Sequence, residues 1–588
     1  MKKLYRVLAL TMALATCGTV MAGCTGGKTS KKDEIIVEPF SASGFGIQWL
    51  KDLAKDWMAE NPGYTVKVKE NSTYLSGTQL AQIEAGTTTT DVYFGGYPNY
   101  SSGFYKGYFE DLSDMLTMKP DGEDGLTVQE KIVNFDNWKK VAGKVSYDEA
   151  TDEFSYSGCY MLPHSTTLSG LVYDHDEFLK NGWLTYAENT AEVKADLAAQ
   201  GITFEESELP AQNPLDEPET RLVFKSSTGI TNYESDEYIL TAGKDGKYGT
   251  YDDGQPQTMA EFDEMVEAIV SAGKVPFVYS TENEYVTELA NAYVVQYAGL
   301  DAYDALTAFD SNGKEITLQD GSSVVIDWSN GYRAQSLKGI EDAVSFINDN
   351  FLNSDYFTTG TGVQDAQDKF IAGGLGTSTY IAMLMEGNWF ELEAMETLKA
   401  AARRNPQKGY GKVDYRMMLM PEIEGQKGID GNGNGTVFPA VEAGAIVVRT
   451  QKYPEKLEAI KSFILYTLTD EALSETTKKT GLVRGYKYDL TAEQIAEMTP
   501  YQRTCYQIYQ DTENIKVITP TTDMLRAPFP YAAIGYTSDV GMLPCRGVQS
   551  ILNSLKGGKS VAEVVDGIAN NYNEGKWNGF LTSIKNNL

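Results

Sequence analysis

The sequence predicts an α/β protein, because strand and helix patterns alternate near its start. Residues 35–40 form an apolar run typical of a strand, and residues 46–63 place apolar side chains at helical spacing before a Pro-Gly stop. An alternating strand, a second helix and a strand that enters a glycine-rich loop complete the pattern by residue 96. This β-α-β-α-β order predicts a lobe built on a parallel sheet.

Later segments continue the mixture of strands and helices. Residues 158–183 predict two strands on either side of a polar loop, and residues 186–256 are polar and turn-rich, as expected for an insertion. Helices are predicted for four further stretches, and a strand for residues 442–450. The predicted helical stretches are 258–273, 339–352, 453–481 and 548–575.

The N-terminus has the pattern of an export signal. Lys2, Lys3 and Arg6 precede an apolar run that is too short to span a membrane in the mature protein. Small residues then lead into Cys24, and Ala-Gly-Cys resembles the bacterial lipobox, in which the cysteine receives the lipid (palmitate among its acyl chains). We therefore expect a signal peptide over 1–23, a flexible tether over 24–34 and an anchor on the outer face of the cell membrane. An ordinary secretory signal with a chance cysteine is the alternative.

Composition excludes several classes of function. A net charge of −32 argues against nucleic acid, whose phosphates require a basic face. The chain has only 2 histidines, which excludes a histidine-rich zinc site. After processing, Cys159, Cys505 and Cys545 remain, an odd and widely spaced set that is no disulfide framework, although pairing of the last two stays open. The 37 tyrosines supply flat rings that suit sugars as well as ordinary cores.

Five segments in order resemble the sugar-binding proteins of bacterial ABC importers, the extracellular solute-binding group that includes the maltose-binding protein. They are "IEAGTTTTDVYFGG", "YMLPHSTTLSGLVYDHDEFLKNGW", "DKFIAGGLGTSTYIAMLMEGNWFELE", "YPEKLEAIKSFILYTLTDEALSE" with "TGLVRGY", and "LKGGKSVAEVVDGIANNYN". Arg484 stands where the family usually has proline. Together the segments cover most of residues 35–575, with 186–256 outside the resemblance.

The resemblance implies a two-lobed periplasmic-binding-protein-like fold of class II, with a ligand cleft between the lobes. Lobe 1 would be 35–160 and 435–510, and lobe 2 would be 161–434 and 511–588. The implied function is a monomeric receptor that captures a carbohydrate, with an oligosaccharide favoured, and delivers it to membrane-embedded permease subunits served by a separate ATPase. The chain has no phosphate-binding loop of its own.

A sugar cleft needs rings for the sugar faces and planar polar groups for the hydroxyls. The resemblance places Trp389, with Asn388 and Glu386 beside it, at the ligand. Tyr97 and Asn99 lie in the aromatic loop after the third predicted strand, where α/β clefts form. The remaining candidates lie in other predicted loops: His164 and Ser165 in the polar loop, Ser43 after the first strand, and Glu282 after "VPFVY". Trp49, early in a helix, is expected in the core instead.

The segment "GKDGKYGTYDDG", residues 243–254, is a candidate calcium loop. Asp245, Asp252 and Asp253 offer oxygens at short spacing, and the glycines let the backbone fold around an ion. The spacing lacks the distant glutamate of an EF-hand, and an acidic surface turn is an equal alternative. We expect no other cofactor.

Two other functions stay open at this stage. The 82 acidic residues could include the catalytic pair of a secreted glycoside hydrolase, which sequence alone cannot locate. The ligand could also be a peptide or another non-sugar solute. We expect a binding protein rather than an enzyme, because the order of the five segments matches receptors.

Overall fold

The structure is a computed structural model, and it describes most of the chain from residue 32 onward. The described residues are 32–39, 44–70, 77–96, 103, 106–151, 153–188, 190–199, 201, 203–208, 220–225, 231–234, 238–280, 285–352, 356–423, 425–429, 436–449, 454–518, 543, 550–571 and 573–587.

Strands and helices alternate along the described chain. The strands are β1 Glu34–Pro39, β2 Thr65–Val68, β3 Val92–Gly96, β4 Lys144–Asp148, β5 Glu153–Ser157, β6 Leu162–Asp174, β7 Tyr186–Glu188, β8 Thr203–Glu208, β9 Thr220–Lys225, β10 Thr231–Glu234, β11 Tyr238–Leu240, β12 Val275–Ser280, β13 Glu315–Thr317, β14 Ser323–Val325, β15 Phe357–Gly360, β16 Ile381–Gly387, β17 Tyr415–Met418, β18 Thr436–Val447 and β19 Ile515–Ile518. The helices are α1 Gln48–Glu60, α2 Gly77–Glu84, α3 Val128–Lys131, α4 Phe135–Ala142, α5 His175–Asn181, α6 Ala191–Ala199, α7 Met259–Ser271, α8 Tyr285–Ala298, α9 Leu300–Thr307, α10 Lys338–Phe351, α11 Val363–Gly374, α12 Phe390–Glu393, α13 Met395–Ala402, α14 Leu457–Tyr466, α15 Asp470–Thr480, α16 Ala492–Glu497, α17 Pro500–Gln510, α18 Ile551–Lys556, α19 Val561–Ala569 and α20 Glu574–Asn587.

One large mixed sheet organises the molecule, in the order β15-β12-β16-β6-β18-β3-β1-β2. β1 pairs in parallel with both β2 and β3. On the other side β12 pairs in parallel with β15 and β16. The predicted β-α-β-α-β lobe is therefore confirmed, as is the α/β fold class.

Two long antiparallel strands, β6 and β18, join the halves of this sheet. The N-terminal part of β6, Leu162–Leu168, pairs with β18, and its C-terminal part pairs with β16 and β17. β18 in turn pairs with β3 near its C-terminus. We call β2, β1, β3 and the end of β18 the first half, and β15, β12, β16, β17 and the end of β6 the second half.

Each half has its own apolar core. In the first half, Val37, Trp57, Phe94 and Ile446 belong to one cluster with residues of α14 and α15. In the second half, alternate side chains of the strands enter two clusters on opposite faces of the sheet. Both faces of the sheet are covered, which explains why β6 and β16 are buried along almost their whole length.

The structure corrects the predicted polar loop within residues 158–183. This segment continues as one strand, β6, from Leu162 to Asp174. Residues 164–167 are a run of four consecutive polar residues, and hydrogen bonds to β18 satisfy the backbone in this part, which the sequence suggested was a loop. The residues predicted to lie in a loop are therefore held in a strand that crosses between the two halves of the sheet.

Two smaller predictions also change. The helical stretch predicted over 453–481 is two helices, α14 and α15, because the chain breaks at Thr469, whose side chain caps the second helix. The insertion at 186–256 contains regular structure as well as turns: β8, β9 and β10 form a three-stranded sheet, and β7 pairs with β11.

Within the described ranges, no helix combines the length and the apolar character needed to cross a bilayer. Cys159 and Cys505 are both free and buried. Cys545 and the lipidation candidate Cys24 lie outside the described residues.

Candidate functional site

The candidate site lies where strands of both halves end. Trp389 follows the carboxyl end of β16, and Tyr285 opens the helix that comes after the neighbouring parallel strand β12. In the first half, Phe45 lies in the connection between β1 and α1. The carboxyl ends of parallel strands are where open α/β sheets bind ligands.

Trp389 is half-buried between aromatic side chains of the two halves. Its ring meets the ring of Phe45 edge-on at 6.4 Å between centroids, and the ring of Tyr285 at 5.4 Å. Gly387 permits this position, because a Cβ there would lie 2.2 Å from atoms of the Trp389 ring. The main predicted ring residue therefore bridges the first half and the second half of the sheet.

Glu386, three residues before Trp389, is buried and makes a side-chain hydrogen bond with Trp389. Its carboxylate accepts a hydrogen bond of 3.2 Å from the Gln367 side chain and one of 3.1 Å from the Gly387 backbone. Burial, followed by the nearby Glu393 charge, raises the pKa of Glu386 to about 8. Glu386 is thus mostly protonated at neutral pH and adds little negative charge to the site.

Asn388 is buried in hydrogen bonds within the protein. Its side-chain oxygen accepts from the Leu168 backbone at 3.3 Å, and its side-chain nitrogen donates to the Gly481 carbonyl at 3.4 Å. The residue therefore ties β6 to the turn after α15. Its role as a ligand contact stays a prediction.

His164 and Ser165 are both buried at the start of β6. The His164 ring stacks on Trp49 at 5.6 Å between centroids and contacts Phe94 at 5.0 Å. Burial, and then the charge of Arg484, lower the pKa of His164 well below its ordinary value, so the ring is neutral. Among the described residues, His164 Nδ1 and Ser165 Oγ have no hydrogen-bond partner.

Arg484 lies against this pair of rings and was not among the site residues that the sequence suggested. Its side chain is 1% exposed, its Nε donates to the His164 carbonyl, and its guanidinium carbon lies 5.8 Å from the centre of the Trp49 ring. The sequence offered one signal for Arg484, since it stands where the related proteins usually have proline. Phe45 and Tyr285 were also missed, since neither stands in a recognisable motif.

Four predicted site residues cannot be placed. Ser43, Tyr97, Asn99 and Glu282 lie outside the described residues. The other four lie in two places. Asn388 and Trp389 follow β16 directly, and His164 and Ser165 are neighbours in β6.

The candidate calcium loop folds around its own carboxylates. Asp252 accepts hydrogen bonds from the backbone of Lys244 at 2.6 Å and of Asp245 at 3.2 Å, and Asp253 accepts one from Gly249 at 2.6 Å. Burial and the Asp245 charge raise the pKa of Asp252 to about 7. In the described part of the chain, no group of three or more His, Cys, Asp or Glu residues could hold a metal ion. Calcium binding at this loop stays a prediction.

Comparison with known proteins gives a family match for part of the chain and a similar fold for most of it. Residues 52–318 match the model of a bacterial extracellular solute-binding protein family. A chitin oligosaccharide binding protein has a similar structure, with a TM-score of 0.50 and 16% identity over 93% of this chain and 99% of that chain. At this identity the likeness concerns the fold alone.

Two further solved structures are similar at lower scores. RafE in complex with raffinose has a TM-score of 0.48 and 16% identity, over 94% of this chain and 100% of that chain. The GacH receptor of Streptomyces glaucescens has a TM-score of 0.47 and 13% identity, over 91% of this chain and 96% of that chain. The sequence matches no curated protein.

Proposed function

Because residues 52–318 belong to a bacterial extracellular solute-binding protein family, we propose that this chain captures a carbohydrate between the two halves of its sheet and releases it unchanged. The observation that carries the proposal is the position of Trp389, half-buried between Phe45 of the first half and Tyr285 of the second half. Flat rings at a junction of two bodies suit the C–H faces of sugar rings.

An oligosaccharide is the favoured class of ligand. The similar fold of the chitin oligosaccharide binding protein supports this choice. Tyr285 and Trp389 are both half-buried and offer two rings, enough for a ligand longer than a single sugar, while the buried Phe45 packs against Trp389. The binding of sugar to both halves would favour a closed arrangement by the difference in affinity between the closed and open forms.

The two halves serve as the two lobes of the receptor in this proposal. The separate apolar clusters support that division. Helix α17 packs with the second-half cluster through Tyr501 and Cys505, so we place the end of lobe 1 before residue 500 rather than at 510. The joining strands β6 and β18 would then form the hinge.

The proposed cellular setting follows the family. A lipid on Cys24 would hold the protein on the outer face of the membrane, and the closed, loaded form would be recognised by permease subunits served by a separate ATPase. The chain would act as a monomer and would cleave no bond in its ligand. The apolar run before the Ala-Gly-Cys sequence supports the anchor.

The test is a panel of oligosaccharides mixed with the purified protein, with melting temperature and ligand integrity measured together. A bound sugar raises the melting temperature through mass action, and it is recovered at its original length. Shortened products would indicate a glycoside hydrolase instead. Stabilisation by peptides alone would indicate a peptide receptor.

A pair of tryptophan variants locates the binding site. Trp389→Leu should weaken sugar binding by about 2 kcal/mol, or roughly 30-fold, because a central aromatic contact is lost. Trp328→Leu is the matched control, since Trp328 is also half-buried but contacts Lys585 and the C-terminal helix. Equal affinities of the two variants would contradict the assignment of Trp389.

A further inference from the structure

Arg484 is an unpaired charge in the interior of the protein. Its Nη1 and Nη2 atoms are buried, and neither finds a hydrogen-bond partner in the described residues. Burial lowers the pKa of Arg484, and the groups that oppose this effect are the phenols of Tyr486 and Tyr488 rather than a carboxylate. A buried charge without a partner lowers the stability of the folded state, so a native structure that keeps one calls for an explanation.

The position of the guanidinium is fixed by its surroundings. The Arg484 backbone nitrogen donates to the Tyr488 hydroxyl at 3.0 Å, and the neighbouring Val483 pairs with Thr166 of β6. The Nε donates to the His164 carbonyl, and the Trp49 ring lies within cation–π distance, at 5.8 Å. One edge of the guanidinium, formed by the two Nη atoms, is left without a hydrogen-bond partner in the described residues.

Two neighbouring polar atoms also have no hydrogen-bond partner within the described part of the chain. In the described structure Trp49 Nε1 and His164 Nδ1 are buried and without partners. We call Trp49, His164 and Arg484 the arginine cluster. Trp49 lies in the first turn of α1, which holds no acidic residue and carries the positive end of the helix dipole.

The chemistry of the cluster suits an anion. Two Nη–H groups of one guanidinium match the two oxygens of a carboxylate or of a sulfate, and such charge-assisted bonds are the strong ones. The neutral His164 ring and the Trp49 indole could then each contribute one further hydrogen bond. The cluster also contacts Phe94 of β3, and Trp49 follows Phe45 by four residues, in the helix after β1.

Resting on the proposed sugar-binding function, we propose that the ligand is an anionic oligosaccharide whose carboxylate or sulfate group binds to Arg484. The rings at Trp389 bind the sugar faces, and the arginine cluster selects the acidic unit. Because all three side chains are buried in this structure, the cluster must open for the acidic unit to bind. Specificity then comes from Arg484, since a neutral sugar leaves its charge buried and unpaired.

Calorimetric titration of the purified protein tests the proposal with four probes: a galacturonic acid trisaccharide, its methyl ester, a sulfated disaccharide and a neutral galactose trisaccharide. The protein should bind the acid or the sulfated sugar about 100-fold more tightly than the neutral probes, as expected for a charge-assisted pair. The carboxylate and sulfate probes distinguish the two sources of the anion. Equal binding of the acid and its ester would overturn the proposal while leaving sugar capture intact.

Variants of Arg484 test whether this residue causes the preference for acidic sugars. Arg484→Met should remove the preference for acidic probes, and Arg484→Lys should keep part of it, since a lysine retains the charge without the planar fork. Arg449→Met is the matched control at an exposed arginine and should keep the full preference. An Arg484→Met protein that still prefers the acid would overturn the proposal.

A last probe distinguishes sugar capture from binding of an anionic group at Arg484. Citrate, a carboxylate without a sugar, should bind poorly to every form of the protein. Arg484-dependent binding of citrate, with no binding of any sugar, would overturn sugar capture and identify a carboxylate receptor. Binding of none of the probes would overturn both proposals.

Discussion

Two buried arginines of this molecule have opposite surroundings. Arg416 in β17 is 1% exposed, and its Nε and Nη2 donate to the two carboxylate oxygens of Asp414 at 3.1 and 2.8 Å. Arg484 is equally buried, yet no carboxylate faces it within the described residues. Burial lowers the pKa of both, but Asp414 more than reverses this for Arg416. Burial alone therefore does not make a charge structural; the presence of its counter-charge does.

The largest expected effect concerns this contrast. Arg416→Met should lower the free energy of unfolding by about 3–5 kcal/mol, because Asp414 is left as an uncompensated charge. Arg484→Met should change it by less than about 1 kcal/mol or raise it, because it removes an unpaired buried charge. Chemical denaturation of the unliganded proteins measures both values.

A double variant sharpens the same contrast. Adding Asp414→Leu to Arg416→Met should restore part of the lost stability, since both charges are then gone. If Arg484→Met were the more destabilising of the two single variants, the assignment of Arg484 to the ligand would be wrong.

The next effect concerns the pH dependence of stability near Trp389. The pKa of Glu386 rises from 4.5 to about 8 in the folded protein. Between these two values the folded state holds a proton that the unfolded state has released. The stability that the protonated Glu386 contributes is therefore complete below about pH 4.5 and is lost as the pH rises through 8. Glu386→Gln, which cannot ionise, should melt several degrees above the unchanged protein at pH 9 and close to it at pH 5. A constant difference at all pH values would contradict the raised pKa.

A smaller effect is expected at Gly387. An added methyl group would lie 2.2 Å from the Trp389 ring and would force the ring to move. Gly387→Ala should therefore weaken sugar binding by about tenfold, in line with a displaced aromatic contact. Gly374→Ala is the control, because a Cβ there meets nothing within 4 Å. Unchanged affinity in Gly387→Ala would indicate that Trp389 does not touch the ligand.

The smallest effect is expected at the loop 243–254. Its aspartates already accept hydrogen bonds from backbone amides of the same loop. If these hydrogen bonds close the loop without a metal, chelation with EDTA should move the melting temperature by less than about 1 °C, because EDTA then removes no bound ligand. A rise of several degrees on adding calcium would instead establish the metal site that the sequence suggests.

Much of the fold could be predicted from local patterns. The period of apolar residues located β1, α1, β2, α2 and β3, because each of these elements buries one side against the same core. The prediction of a loop at residues 164–167 was wrong, because their polar side chains are compatible with a strand. The backbone of this strand is satisfied by pairing with β18, which is about 270 residues away in sequence. Pairing over that distance leaves no local signal.

The site was less predictable than the fold. Trp389 could be found, because it stands in a segment that resembles related proteins. Its partners Phe45 and Tyr285 could not, since the three rings meet only through the packing of distant segments. Arg484 was visible as a departure from proline, but the absence of a counter-charge is a property of the folded protein.

Native mass spectrometry of the protein with an oligosaccharide shows whether the chain captures a sugar and leaves it unchanged. We predict a one-to-one complex between the protein and an intact sugar, from which the ligand is recovered at its original mass. That complex should be strongly reduced in Trp389→Leu and retained in Trp328→Leu. Recovery of shortened sugar, or a complex that survives equally in both variants, would contradict capture of an unchanged ligand between the two halves.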